Sequence, residues 1–163
     1  MTETMTVEQF RAYLKSDQTK RVKKATTRPR KSALKAADAA FSLLMRATEA
    51  NEQGVVRCCT CSKWLIWKGT GKTHWGHWQS RGFMGTRFNP KNGGIQCENC
   101  NTYLEGRKAD MKRYLIQRYG ETEILKVEAL AQLSTKITND ELSEMAAKWR
   151  KEAREIIKQK NLK

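Results

Sequence analysis

The chain has 163 residues, with 32 Lys and Arg against 17 Asp and Glu and a formal net charge of +15. That size suits one functional unit rather than two full domains, and so large a positive excess points to a polyanionic partner, with nucleic acid the natural one. No stretch approaches the roughly 18 apolar residues that span a bilayer, no lipidation signal is present, and residues 1–10 lack a secretory signal's apolar core, so the expectation is a cytoplasmic protein without membrane attachment.

In chain order, Val7, Phe10 and Leu14 recur at helical spacing and predict a short helix within residues 1–15, marginal without a partner. Residues 20–31 read KRVKKATTRPRK, seven positive charges around a proline. That run is either a solvated linker or an arm tracking phosphates through Lys23, Lys24, Arg28 and Arg30. Ser32 offers an N-cap, and Leu34, Ala37, Phe41 and Leu44 mark one face of a helix reaching Glu49. Residues 55–105 differ in kind, being rich in Gly, Trp, Cys and Asn, with short β-like pieces and no sustained helical period. A helix follows over residues 107–119, with Met111, Tyr114, Leu115 and Arg118 in step and Gly120 as its stop. Another over residues 121–133 carries Ile124, Leu125, Val127 and Leu130. Thr138 and Glu141 form a capping-box signature for a last helix ending near residue 158. Its apolar face, through Leu142, Met145, Trp149, Ala153 and Ile156, serves either packing within the chain or a dimer seam. The expected class is α+β. Residues 1–31 form an N-terminal helix and arm, 32–52 a helix packed on the core, 53–110 the core, and 111–163 a C-terminal helical region.

The cysteines organise that core. Cys58 and Cys61 form one C-x-x-C pair and Cys97 and Cys100 another. A two-residue spacer lets a tight turn aim both sulfurs at one ion, so two such pairs suit the tetrahedral, four-thiolate preference of structural zinc. Disulfides rarely persist in a reducing cytosol, which leaves buried, metal-free thiols as the bland alternative. Cys59 is the odd thiol and is expected to remain free. Thirty-five residues separate the pairs, more than a bare zinc ribbon needs, so the ion closes a loop large enough to hold a site. Four thiolates leave zinc no open position for water, and chemistry would need a second ion.

Both histidines of the chain, His74 and His77, fall inside that loop. After them come Trp78, Arg81 and Gly82, then Arg87-Phe88-Asn89, Asn92, and Cys100-Asn101 with Leu104 and Gly106. At these residues the chain resembles HNH endonucleases of the ββα-metal type, and within them the NinG/Rap recombination proteins of lambdoid phages. The likeness extends more weakly through Tyr114-Leu115-Ile116 and Tyr119-Gly120, covering about residues 32–160. The resemblance implies a zinc-stapled HNH core flanked by N- and C-terminal helices, cleavage of branched DNA such as Holliday junctions and D-loops, and residence in the bacterial host's cytoplasm. His77 would be the general base, Asn92 the residue that orients it, and His74 with Asn101 the ligands of a catalytic Mg²⁺ or Mn²⁺. Relatives tend to carry aspartate where His74 stands, and a neutral imidazole suits Mn²⁺ better than the harder Mg²⁺. Arg107 likewise replaces a common asparagine.

In that scheme His77 takes a proton from the attacking water, which an imidazole pKa near 6.5 permits, while the divalent ion stabilises the leaving oxygen. Arg81, Arg87, Arg107 and Lys108 join the basic arm as candidate DNA contacts, unless they only solvate the loop. Trp64, Trp67, Trp75 and Trp78 either form the core of the zinc domain or stack on unpaired bases. A homodimer is expected if two opposed strands of a junction are nicked. The competing functions are a zinc-dependent DNA-binding protein without catalysis and a sequence-specific phage regulator.

Overall fold

The computed structural model describes residues 30–69 and 71–163. The predicted N-terminal helix and most of the basic arm, with Lys23, Lys24 and Arg28, lie outside the described residues. Two long helices form the frame: α1 (Arg30–Glu49) and the last helix, α5 (Asn139–Gln159). They run parallel, because Arg30 at the start of α1 hydrogen-bonds Asn139 and the Ile137 carbonyl, while Lys160 beyond the end of α5 reaches the end of α1. Ala33, Ala37 and Ala40 of α1 meet Leu142 and Ala146 of α5, small side chains that let two helices approach closely. Lys160 Nζ donates to the carbonyls of Ala47, Thr48 and Ala50 at 3.1, 2.7 and 2.8 Å. A cation there satisfies oxygens that a helix end leaves unpaired and complements its dipole. The apolar face of α5 is thus spent within the chain. Its start matches expectation, with Thr138 and Glu141 forming a reciprocal capping box. Among the described residues α1 already includes Arg30 and Lys31, so Ser32 lies within the helix rather than capping it.

In chain order, two antiparallel hairpins come between these helices. In the first, β1 (Val55–Arg57) pairs with β2 (Trp64–Ile66), Arg57 opposite Trp64. In the second, β3 (Thr73–His77) pairs with β4 (Gly93–Cys97), running from Thr73 opposite Cys97 to His77 opposite Gly93. All five residues of β4 are buried, and the Cys59 N–H donates to the Ile95 carbonyl at 2.8 Å, tying the hairpins together. One face of β3 carries Trp75 toward α1, where Phe41 meets Trp75, Phe88 and Trp149 with ring centroids 6.0, 5.8 and 5.1 Å apart. Such pairs add about 0.5–1.5 kcal/mol each beyond burial. Gly76 occupies the opposite face because a Cβ there would stand 2.1 Å from Gln96 Oε1.

A short helix, α2 (Met84–Arg87), and a 3₁₀ turn (Pro90–Asn92) fill the connection between β3 and β4. After β4, a π-helical turn (Asn99–Tyr103) leads into α3 (Lys108–Tyr119) and α4 (Glu121–Gln132). Gly120, at φ 85°, makes the break between them, a left-handed conformation that glycine adopts without strain. Met111 and Leu115 of α3 pack with Ile124 and Val127 of α4 beneath Trp78. Of the apolar residues expected to define α4, Leu125 and Leu130 face outward, and Ala131 completes the buried side.

Candidate functional site

The four paired cysteines come together. The sulfurs of Cys58, Cys61, Cys97 and Cys100 all lie within 4.8 Å of one another, and Cys61 Sγ and Cys97 Sγ are 3.8 Å apart. Tetrahedral zinc with bonds of about 2.3 Å needs sulfurs about 3.8 Å apart, so the donor set fits the ion. The Cys100 N–H points at Cys97 Sγ at 3.5 Å, as a backbone donor stabilising a thiolate does. Burial alone would raise the Cys58 thiol, but hydrogen bonds from the Thr60 hydroxyl and neighbouring backbone N–H groups bring it down to about 6. Cys59 stands apart. Its sulfur faces Met111 Sδ at 3.5 Å, and burial, reinforced by the neighbouring cysteines, pushes its thiol up. Zinc held by the other four would lock the β1–β2 turn to the end of β4 and supply structure rather than reactivity.

His77 ends β3 at the far end of the second hairpin from Cys97. Its Nε2 lies 2.8 Å from the Arg87 carbonyl oxygen. A carbonyl only accepts, so Nε2 carries the proton and the lone pair is on Nδ1. Burial brings the imidazole down to about 4, with Arg81 adding to the effect and the Arg87 carbonyl and Asp38 opposing it. The ring is therefore neutral at cellular pH. The His77 carbonyl accepts from Lys108 Nζ, so backbone and ring are both held.

Asn92 touches the loop rather than the imidazole. Fully buried, it accepts from the Gln79 N–H at 2.7 Å and donates to the carbonyls of Gln79 and Thr86 at 3.1 and 3.0 Å. One amide thereby closes the segment that carries both His77 and its acceptor. The Arg87-Phe88-Asn89 motif anchors the same segment. Arg87 forms a two-pronged pair with Asp38 of α1, at 2.9 and 2.6 Å, Phe88 enters the aromatic cluster, and Asn89 Oδ1 caps the 3₁₀ turn.

Other predicted site residues are placed differently. His74 and His77, three apart on one strand, project from opposite faces of β3, and His74 Nε2 bonds the Gly71 carbonyl at 3.1 Å. The two rings therefore leave β3 in different directions. Asn101 follows Cys100 in the π-helical turn, at the cysteine end of the hairpin. Among the described residues, the four cysteines are the one group of three or more His, Cys, Asp or Glu side chains placed to hold a metal. Of the arginines expected on DNA, Arg87 is taken up by Asp38, Arg30 by the start of α5, and Arg107 by Asp110. Lys108 spans to the His77 backbone. Arg81 remains exposed beside His77, 3.8 Å from Asp38. The tryptophans divide: Trp67, Trp75 and Trp78 are buried, and Trp64 is 64% exposed. Asp38 was not legible in advance, since a single carboxylate on an amphipathic helix carries no signal of a partner 49 residues away.

Fold and cysteine cluster define a mixed α/β protein with two small antiparallel sheets and four cysteines placed so that they could hold a metal ion. Among the described residues no helix is long and apolar enough to cross a membrane. The family model described as Bacteriophage Lambda NinG protein matches residues 3–160, and the chain belongs to the NinG family. No curated protein and no solved structure matches it.

Proposed function

We propose that this phage protein is a DNA endonuclease acting on branched recombination intermediates such as Holliday junctions and D-loops, with His77 as general base. The observation that carries the proposal is the held, neutral imidazole: Nε2 is committed to the Arg87 carbonyl, which leaves Nδ1 to take a proton from water. Exposed Arg81 beside it is the natural partner for a flanking phosphate. The zinc held by four cysteines belongs to the scaffold. Membership of the NinG family and the excess of positive charge support DNA as substrate.

A catalytic Mg²⁺ or Mn²⁺ on His74 and Asn101 stays outside this proposal. His74 turns away from His77 and is bonded within its own turn, and no step is routed through that ion. The imidazole at position 74, where relatives tend to carry aspartate, favours the second reading, a zinc-stapled DNA-binding protein without cleavage.

Incubating the chain with a four-way junction and a matched linear duplex, with and without Mg²⁺ or Mn²⁺, separates the two. Cuts near the branch that disappear in His77→Ala, with zinc content and junction affinity retained, support the endonuclease. Binding without cuts under every ion condition supports the second reading. In either case affinity falls steeply with added salt, because phosphate contacts release counterions.

A further inference from the structure

We propose that the outward face of the β1–β2 hairpin is a docking platform for unpaired DNA bases, with the Trp64 ring as stacking surface and Arg57 as its phosphate partner. This rests on the DNA-binding part of the function proposed above and not on cleavage.

In a two-stranded ribbon with one side on the core, alternation normally turns polar residues to solvent. Here Val56 is buried and Leu65 half-buried, as expected, but the outward positions of β2 hold Trp64 and Ile66, 64% and 61% exposed. Neighbouring Trp67 is buried, so the core already has its indole. Exposed apolar surface of this kind marks a contact site, and its surroundings identify the chemistry of the occupant. Arg57 lies opposite Trp64 in the register, its guanidinium carbon 5.5 Å from the ring centroid. Its Nε donates to the Ser62 carbonyl at 3.1 Å, which fixes the side chain, while its two terminal nitrogens have no protein partner among the described residues.

Charge points the same way. From residue 53 to residue 97 the sequence contains no Asp or Glu and seven Lys and Arg. A cleft of about 700 Å³ runs beside Arg57 and Trp64 toward Arg113 and Tyr114. Its two carboxylates are both paired, Glu49 with Arg118 and Asp110 with Arg107 and Arg113, so with Arg57 four guanidinium groups face two carboxylates and the neighbourhood is cationic. A flat π-face beside a fixed cation matches a nucleotide, a base to stack and a phosphate to pair. The base must be unpaired, because within a duplex both of its faces are covered by neighbours.

The test uses the full, zinc-loaded chain without added Mg²⁺ or Mn²⁺ and measures anisotropy of a labelled oligothymidylate, an abasic strand of equal length and a matched duplex. Trp64→Ala is expected to weaken oligothymidylate binding about tenfold, the scale of one base–aromatic stack, with abasic and duplex affinities unchanged and Trp64→Phe close to wild type. Equal loss on all three probes, or no loss on oligothymidylate, overturns the platform. So does a Trp64→Ala effect confined to the protein's own sedimentation, which would assign the face to a second copy of the chain. Junction cleavage is run in parallel with Mg²⁺ or Mn²⁺. An uncut junction with the probe discrimination retained sinks the endonuclease and upholds the platform; cutting without discrimination does the reverse.

Discussion

Acid should destabilise this protein through His77 in a way that a single substitution isolates. In the folded chain burial holds the imidazole at about 4, whereas an unfolded histidine titrates near 6.5. The unfolded state therefore binds more protons between those values, and stability is lost as pH falls from about 6.5 toward 4. At pH 5 that difference amounts to about 2 kcal/mol relative to pH 7.5. His77→Gln removes the titration while keeping a side chain able to donate to the Arg87 carbonyl. Guanidinium unfolding of zinc-loaded wild type and variant at pH 7.5 and 5.0 measures it, because acid release of zinc is common to both proteins and cancels in the comparison. Wild type should lose about 2 kcal/mol more than the variant on acidification. Parallel losses in the two proteins would refute a desolvated His77 ring with a lowered pKa.

Cys97→Ser should lose the metal and unfold the central hairpins, read by zinc content together with circular dichroism; a folded, metal-free variant would show that the sulfurs are not a staple. Asp38→Asn should cost about 1–3 kcal/mol in thermal unfolding, since it strips a partly buried guanidinium of its charged partner, and should slow junction cleavage by loosening the segment that holds the Arg87 carbonyl. Gly76→Ala should destabilise by about 1–3 kcal/mol in denaturant melts, because its methyl group must displace the buried Gln96 side chain or shift the strand; a neutral result would mean that the hairpin yields easily.

Local signals are legible in the sequence. The C-x-x-C spacings anticipated the sulfurs that meet, the Thr138 and Glu141 pair marked the start of α5, and Gly120 marked the break between α3 and α4. Each is a short-range device whose geometry is set within a few residues. The histidines were harder. Their separation of three looks like a pair, and only the extended conformation of β3 turns them to opposite faces. Arginine charge was equally uninformative, because a guanidinium that meets phosphate and one that meets Asp38 are the same letter.

What the amino-acid order determined by itself is the chemistry available: four thiols in two knuckles, two imidazoles in the loop between them, and a long acid-free basic stretch. Tertiary structure decided which of those groups are spent on holding the chain and which remain for a partner. Asp38 draws in Arg87, the Arg87 carbonyl claims one nitrogen of His77, and three of the four clustered tryptophans enter the core while Trp64 stays outside. The physical reason is that burial and pairing depend on residues distant in sequence, and a group's charge, proton and exposure follow from those neighbours.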